Sequence, residues 1–549
     1  DIPSPFMIKG QEDAPAKVEA PAKGKDAKPE AKESKTVSVK VDADGIENRI
    51  VKIPVAAPRY AGAVYCNDGK LYFNGTKGCQ VYDFATEKTD DVSDARLSVS
   101  GKKALWSKGG RGTGASIYVT DLPKGGKVSL DKAVNTSDMV AEIDYKQEWA
   151  QIFDETWRAF RDGFYLENMH GIDWKAMKEK YSVLLPYVKH RLDLNYVIGG
   201  MIGELACGHA YVNPGEYPGV KKVDMGLLGA ELSRDAKTGY YRIDRILPGE
   251  PYRPELRSPL TETGLNVNEG DYIVAIDGVS VTETNNIYSM LVGKANVLTE
   301  LTVNSSASAN GAHKIIIKPI ADEDMLYHNE WVTKNLKYVE EKSKGRIGYV
   351  YIPDMGPEGL NEFSRMFYAQ LDKEALIVDD RANGGGNVSP MIIERLLREP
   401  YRLTMYRNRS TTGTIPDAAI HGPKALLINK YSASDGDLFP WSFKATKLGT
   451  VIGTRTWGGI VGISGSLPYM DGTDVRVPFF TNYSAETGEW IVENHGVDPD
   501  ILLDNDPIRE QAGEDQQLDK AIEVLLEQLK ERKPLPGVPA PRTLKDLGW

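Results

Sequence analysis

The chain has 549 residues, which is too many for one hydrophobic core, so about two to four domains are expected. Hydrophobic residues make up 41% and charged residues 26% of the sequence, and it contains no apolar run of about 18 residues that could span a membrane. Acidic residues outnumber basic ones by 78 to 67, for a net charge of −11, which argues against nucleic-acid binding and favours small or peptidic partners.

The three cysteines, Cys66, Cys79 and Cys207, are too few and too scattered for a disulfide framework or a thiolate metal site. A single disulfide bond between Cys66 and Cys79 is the alternative that the sequence leaves undecided. The sequence begins with Asp1 rather than Met and lacks a signal-type apolar segment, so we expect that its true start has been removed. The compartment is left open between the cytoplasm and the bacterial periplasm.

Residues 1–36 are predicted to form a flexible arm, because their Ala, Pro, Lys and Glu side chains bury too little apolar surface to offset ordering entropy. Residues 37–140 contain short predicted strands at 70–73, 80–84, 103–106 and 117–121 with Gly-rich turns between them. We interpret them as the last blades of a partial β-propeller. Because propellers close with roughly four to eight blades, we expect further blades upstream in a longer polypeptide. A small free-standing β-domain is the alternative.

Residues 141–215 are predicted to form a helical domain, with helices at about 174–184 and 194–205 following a first helix. In that first helix a helical-period stripe of large side chains indicates a core-facing surface: Trp149, Ile152, Phe153, Trp157 and Phe160.

Residues 220–322 resemble a PDZ domain. Gly226, Leu227, Leu228 and Gly229 resemble the loop whose backbone N–H groups receive a peptide carboxylate, and a predicted strand follows at 240–246. The segments 247–251 and 268–278 match the family's turn, strand and Asp-Gly turn. The resemblance implies that these four residues bind a peptide end; a structural spacer that binds nothing is the alternative.

From residue 330 to 505 apolar strands at 347–352, 376–379, 425–428 and 451–453 alternate with helices, a pattern typical of an α/β domain whose sheet is covered on both faces. Residues 506–549 are predicted to form a C-terminal helix at 515–532 and a Pro-rich tail that suits packing on a neighbour or disorder.

Ser434 lies between an apolar strand and a predicted helix, with the small residues Ser432 and Gly436 two positions away on either side. A sharp strand–turn–helix nucleophile turn needs such small neighbours, and the helix N-terminus would stabilise oxyanion charge. The Gly-rich segment 383–387 also follows a strand, so the amide of Asp435 with that of Gly385 or Gly386 is a candidate oxyanion hole. Taken alone, Ser434 is more typical of an ordinary helix N-cap than of a nucleophile.

Residues 380–500 resemble the tail-processing serine peptidases, through the Gly-Gly loop, the Ser-Ala-Ser turn, a second Gly-Gly turn at 453–459 and the Gly-x-x-Pro-Asp ending at 496–500. In ordinary members a lysine in the second turn deprotonates the serine. The matching position here is Gly459, so another base is required.

The tricorn branch of that family takes its base from the helical domain before the PDZ domain, and residues 204–212 resemble the motif with His209 in the base position. The resemblance implies that His209 activates Ser434 and that Glu493 organises the base through an intervening serine. Where that serine is expected the chain has Gly208, so the relay is incomplete. His495 is the best rival base.

We therefore predict a multidomain α+β protein with a partial β-propeller, a helical domain, a PDZ-like domain and a crotonase-like α/β catalytic domain. The predicted activity is that of a serine peptidase hydrolysing oligopeptides through an acyl-enzyme, without a metal or other cofactor. By resemblance we expect a homo-oligomer, a hexamer, and no membrane insertion. A non-catalytic peptide- or ligand-binding protein on the same scaffold is the first alternative, and an interaction scaffold is the second.

Overall fold

The computed structural model describes residues 130–549 apart from 214, 216–221 and 409–411, together with short stretches between residues 41 and 122. The chain divides into two compact units, Asp1–Glu142 and Ile143–Trp549. The arm predicted for residues 1–36 lies outside the described residues. No helix among the residues described has the length and apolar character needed to cross a bilayer.

The first unit contains two antiparallel sheets, with strand orders β1-β2-β3-β4 and β5-β6-β7. Their bounds are Tyr65–Asn67, Lys70–Gly75, Gly78–Asp83 and Lys88–Asp91 in the first sheet, and Arg96–Leu97, Lys103–Lys108 and Ser116–Asp121 in the second. The four predicted strands correspond to β2, β3, β6 and β7.

Apolar side chains cover both faces of the first sheet. Tyr72 and Val81 pack with Ala104 and Trp106 of the second sheet, while Leu71, Phe73 and Tyr82 form a cluster of their own. Successive residues of a strand point to opposite faces, so β2 is buried on both sides. The thiol of Cys66 is free, so the disulfide left open from the sequence is not formed.

Three helices open the second unit: α1 at Tyr145–Gly163, α2 at Trp174–Ser182 and α3 at Arg191–Gly203. The Asp144 carboxylate caps α1 by accepting from the Lys146 and Gln147 amides. In the predicted stripe Ile152, Phe153 and Phe160 are buried, and the two tryptophans pack against the same core.

The helical core extends into the C-terminal half of the chain. Strand β8, Tyr211–Val212, pairs antiparallel with β23, Asp474–Arg476, and Tyr469, Val475 and Val477 belong to the same apolar cluster as the helices. The loop between α3 and β8, which carries His209, is therefore fixed at both ends against other parts of the second unit.

A six-stranded antiparallel sheet follows, with the order β14-β13-β11-β10-β9 and β12 paired to β11. The strands span Ala230–Arg234, Tyr241–Ile246, Tyr272–Ile276, Val279–Ser280, Thr299–Asn304 and His313–Ile317. The predicted Asp-Gly turn joins β11 to β12, and both of its residues have positive φ, 47° at Asp277 and 80° at Gly278, as a two-residue hairpin requires.

The last large sheet is parallel and five-stranded, with the order β15-β16-β19-β20-β25. Its strands are Ile347–Tyr351, Ala375–Asp379, Lys424–Ile428, Gly449–Gly453 and Ile501–Leu502. Every residue of the first three is buried, so helices cover both faces. The helices are α4 Asp324–Ser343, α5 Pro357–Tyr368, α6 Ser389–Leu396, α7 Asp435–Ala445, α8 Pro507–Gln511 and α9 Gln516–Glu531.

Three short antiparallel strand pairs lie outside the large sheet in the described part of this domain. They comprise β17 Arg402–Thr404 with β18 Gly413–Ile415, β21 Gly462–Ile463 with β24 Pro478–Phe480, and β22 Leu467–Pro468 with β23. The predicted face of the C-terminal helix α9 is buried at Leu518, Ile522, Leu525 and Leu529. Beyond it, residues 535–539 of the tail border a cavity of about 370 Å³ beside Tyr401 and Leu403 of the same chain.

Candidate active site

Ser434 lies at the turn between β19 and α7, as predicted. Its backbone has φ 60° and ψ −119°, a strained conformation for a residue with a side chain. Ser432 is fully buried and its hydroxyl donates to the Asp380 carbonyl at 2.8 Å. A Cβ on Gly436 would lie 2.6 Å from the Asn383 carbonyl oxygen, so this position requires glycine. The two small residues therefore allow the turn to lie against the Gly-rich loop.

The Gly-rich loop lies directly against the serine. A Cβ on Gly385 would be 2.5 Å from Cβ of Ser434, and the Met355 amide donates to the Gly385 carbonyl at 2.8 Å. The Gly385 amide donates to Asn383 Oδ1 at 2.9 Å. The amides of Gly386 and Asp435 have no acceptor in the part of the chain that the structure describes. Of the alternatives in the predicted oxyanion hole, this geometry favours Gly386 with Asp435.

Asp437, which the sequence analysis did not single out, connects the serine turn to the second Gly-Gly turn. Its buried carboxylate accepts from the Ser434 amide at 2.8 Å, the Gly458 amide at 2.8 Å and the Gly459 amide at 3.3 Å. Burial raises the pKa of Asp437, and these hydrogen bonds oppose that rise. The spacing Ser-x-x-Asp at the start of a helix is the sequence signal that could have identified it.

His209 follows α3 in a half-buried loop. Its ring stands edge-to-face against Trp457, with centroids 5.4 Å apart and an interplanar angle of 87°. At the preceding Gly208, a Cβ would lie 3.5 Å from Cα of Gly459. The Gly459 amide in turn donates to Asp437, so the loop that carries His209 and the Ser434 turn meet at the second Gly-Gly turn.

The Glu493 carboxylate contacts both sides of this junction. One oxygen accepts from the Ile460 and Val461 amides at 2.7 and 3.1 Å, and the other accepts from the Gly208 amide at 3.2 Å. The Nδ1 atom of His209 is buried and has no hydrogen-bond partner among the described residues. Glu493 thus contacts the loop backbone next to the histidine.

Burial and charge act on His209 in opposite directions. Desolvation lowers the pKa of the imidazole, and the Glu493 carboxylate raises it by a smaller amount. Burial and the same carboxylate raise the pKa of the Cys207 thiol to about 12. Cys207 is therefore a neutral thiol at physiological pH and not a nucleophile.

His495, the rival base, is largely exposed and its Nε2 pairs with Asp498 at 2.8 Å. His170 lies between the Tyr165 hydroxyl at 2.5 Å and the Leu205 carbonyl at 2.7 Å. Neither ring has a hydrogen bond to Ser434, His209 or Glu493 among the residues that the structure describes.

The four predicted peptide-binding residues lie before β9, and three of their amides donate hydrogen bonds within the chain. Gly226 and Leu227 donate to the Leu291 and Ile320 carbonyls at 2.9 and 2.7 Å. The Gly229 amide donates to Glu323 Oε1 at 2.6 Å, and Leu228 is buried. An internal carboxylate thus contacts the loop at which a PDZ domain receives the carboxylate of a peptide.

Three family models match the chain in succession. They are the Tricorn protease C1 domain at residues 145–203, the Tricorn protease PDZ domain at residues 226–322 and Peptidase family S41 at residues 346–503.

Curated relatives match across nearly the whole chain. Tricorn protease homolog 1 of Streptomyces coelicolor is 35% identical over 520 residues, covering 90% of this chain and 48% of the relative. The putative Tricorn-like protease C-terminal subunit of Sulfurisphaera tokodaii is 34% identical over 530 residues, covering 91% and 59%. A crystal structure of the tricorn protease has a TM-score of 0.75 at 31% identity, covering 86% of this chain and 46% of that one. The chain spans about half the length of these relatives.

A PDZ domain followed by an α/β domain with a strained serine at a helix start defines a serine peptidase of family S41. The C1 domain precedes these two domains, and the tricorn relatives match over most of the chain, so the protein is assigned to one branch of this class. The chain belongs to the tricorn protease family.

Proposed function

We propose that this protein hydrolyses peptide bonds, with Ser434 as nucleophile and His209 as general base. The observation that carries the proposal is the junction at the second Gly-Gly turn, where Asp437 binds the serine turn and Glu493 binds the histidine loop. No ordinary helix N-cap needs a second loop with a histidine to converge on it.

In the proposed reaction His209 Nε2 accepts the Ser434 proton as Oγ bonds to the peptide carbonyl carbon. The resulting oxyanion receives hydrogen bonds from the Asp435 and Gly386 amides, each contributing about 3 kcal/mol in comparable sites. His209 then returns the proton to the leaving amine, and the C–N bond breaks to give an acyl-enzyme. A water molecule, deprotonated by His209, attacks the ester and releases the acid and free Ser434.

Glu493 supports this cycle by fixing the loop backbone, and its negative charge favours the imidazolium that forms during each transfer. Because Gly208 has no hydroxyl, the relay of the tricorn branch is incomplete in this chain. We propose that the base remains active and is less firmly oriented than in relatives that keep the serine.

We propose oligopeptides as substrates. The two packed sheets of the first unit, one of them covered on both faces, support the interpretation of residues 37–140 as the last blades of a propeller that delivers peptides. Residues 403–410 contain no acidic side chain, so we propose no preference for basic residues before the scissile bond. By likeness to the family we also propose assembly into a homo-oligomer, a hexamer.

The remaining domain assignments are part of the same proposal: a helical domain at 141–215 that supplies the base, a PDZ-like domain at 220–322, a catalytic domain at 330–505 and a C-terminal helix with its tail at 506–549. The contacts of the Gly226–Gly229 amides within the chain support the interpretation of the PDZ-like domain as a spacer.

Labelling with a fluorophosphonate tests the proposal, because this probe reacts only with an activated serine. We expect modification of Ser434, identified by peptide mass, and its loss in Ser434→Ala and His209→Ala. His495→Ala is the matched control and should keep the wild-type rate, since its ring is exposed and paired with Asp498.

The rival function is that of a non-catalytic peptide-binding protein, which the unpartnered Nδ1 of His209 favours. Peptide binding by a wild-type protein that is not labelled would establish this rival. Loss of labelling in His495→Ala, with labelling kept in His209→Ala, would identify His495 as the base.

A further inference from the structure

His209 lacks the polar support that usually orients a catalytic histidine. Its Nδ1 atom is buried without a partner among the residues described, and the residue before it has no side chain to offer one. In serine peptidases a hydrogen bond to this nitrogen fixes the ring and its tautomer. Another contact must therefore hold the imidazole of His209 toward Ser434.

We propose that Trp457 is the residue that positions His209, by contact of its indole ring with the imidazole. This inference rests on the proposed function, since it assigns a role in the same reaction. It makes Trp457 a positioning residue, acting through His209 and not on the substrate.

The contact geometry supports this role. The two rings meet edge-to-face at a centroid distance of 5.4 Å, an arrangement that stabilises aromatic pairs beyond their burial. Tyr211 stands at 6.0 Å from the same imidazole in a second T-shaped contact. Two aromatic rings thus contact the imidazole of His209, and its Nδ1 has no polar partner among the described residues.

The backbone of Trp457 belongs to the serine turn. Its amide donates to the Ser432 carbonyl at 3.0 Å, and the next residue, Gly458, donates to Asp437 at 2.8 Å. Trp457 is therefore fixed by its main chain next to the nucleophile while its side chain contacts the base. A single residue connects the two catalytic groups.

The indole also fills the space that other side chains would need. A Cβ on Gly208 would lie 3.3 Å from Cη2 of Trp457, and a Cβ on Gly459 would lie 2.3 Å from its Cζ3. Glycine at position 459, which has replaced the lysine of ordinary family members, is thus required by the indole. Gly208 and Trp457 are likewise matched in size, so their substitutions should not act independently.

Trp457 is 46% exposed, so its replacement removes little core packing. Trp490 offers a matched control, because it is 63% exposed and its ring contacts Tyr483, whereas the ring of Trp457 contacts His209. Both residues can be replaced without opening a buried cavity.

The first test measures the rate of fluorophosphonate labelling in the whole protein. We expect Trp457→Ala to react up to about tenfold more slowly than wild type, since an aromatic contact of this kind is lost, while Trp457→Phe recovers most of the rate. Trp490→Ala should react like wild type. For peptide hydrolysis, Trp457→Ala should lower kcat and leave KM unchanged.

A Trp457→Ala protein that labels at the wild-type rate but has a raised KM would overturn the inference, because Trp457 would then be a substrate contact. Failure of the wild-type protein to label would instead reject the proposed function itself. The two failures are therefore distinguishable from the same set of measurements.

A second test uses the size match between positions 208 and 457. In the wild-type background Gly208→Ser should slow labelling, because the new Cβ forces the indole away from His209. In the Trp457→Phe background, where the smaller ring leaves room, the same substitution should be neutral or accelerating. Equal effects of Gly208→Ser in the two backgrounds would overturn the inference, even if Trp457→Ala proves unstable.

Discussion

Among individual residues, His209 sets the pH range in which the proposed reaction can run. The Glu493 carboxylate acts on the charge of its ring, the Tyr211 ring contacts it, and Cys207 lies two residues before it in the chain. Burial raises the pKa of the thiol to about 12 and also raises the pKa of the phenol, so both stay neutral near pH 7. The pKa of His209 is therefore determined by desolvation, which lowers it, and by Glu493, which raises it less.

Because a general base must be neutral, activity is lost as the pH falls through the pKa of His209. We expect the acid limb of the labelling rate to have its midpoint below the ordinary histidine value of about 6.5. Glu493→Gln removes the carboxylate that raises this pKa and should move the limb to still lower pH. A midpoint above the ordinary value would contradict the assignment, and His495→Ala should leave the profile unchanged.

At the scale of elements, the serine turn and the Gly-rich loop are built to fit each other. The Ala433 amide donates to the Asn383 carbonyl at 2.8 Å, which joins the two segments directly. Gly385 has φ of 90°, and any side chain there would meet Ser434. Gly384, by contrast, has open space around the position of a Cβ. Neighbouring glycines in one loop thus have different requirements.

These two glycines make a matched pair of substitutions. Gly385→Ala should reduce labelling by about a hundredfold or more, because the new methyl group displaces the loop from Ser434 and with it the Gly386 amide, the proposed oxyanion donor. Gly384→Ala should stay close to the wild-type rate. Circular dichroism of both variants checks that the fold persists, and equal rates for the two variants would contradict the role given to the loop.

The sequence predicted those features of the fold that depend on a single strand, helix or turn. Buried strands such as Lys424–Ile428 appear as continuous apolar runs, and Ser432 and Gly436 indicate a tight turn before any contact is known. The local contact of Asp437 with Ser434 has a sequence signal, but its hydrogen bonds to Gly458 and Gly459 and the contact of Trp457 with His209 join segments that are distant in sequence. Helix α7 begins at Asp435, directly after Ser434.

At the scale of the whole second unit, charged contacts fasten the PDZ domain to the helices of the peptidase domain. Glu323, just before α4, accepts from the Gly229 amide at 2.6 Å. Arg253 pairs with Glu362 of α5 at 3.1 Å, and Arg245 pairs with Glu330 of α4. The loop at 226–229, which resembles a peptide-binding loop, therefore contacts a glutamate at the junction of the two domains.

Because the Gly229 amide donates to Glu323, removal of the Glu323 carboxylate should make this amide available to the carboxylate of a bound peptide. In a Ser434→Ala background, which prevents cleavage, Glu323→Ala should bind a peptide with a free C-terminus about tenfold more tightly than its parent, consistent with one charge-assisted hydrogen bond. Fluorescence anisotropy measures the difference, and the amidated peptide is the control. Equal affinities of the two proteins would show that the loop is not blocked by Glu323.

The pairing of β8 with β23 bears on the stage of synthesis at which the proposed peptidase site can form. The partner strand, Asp474–Arg476, and Glu493 both lie beyond Ser434 in the sequence. During synthesis the proposed nucleophile therefore emerges before the segments that contact the histidine loop. A nascent or prematurely ended polypeptide would lack these contacts, so the proposed cleavage is expected only after the C-terminal segments have been made.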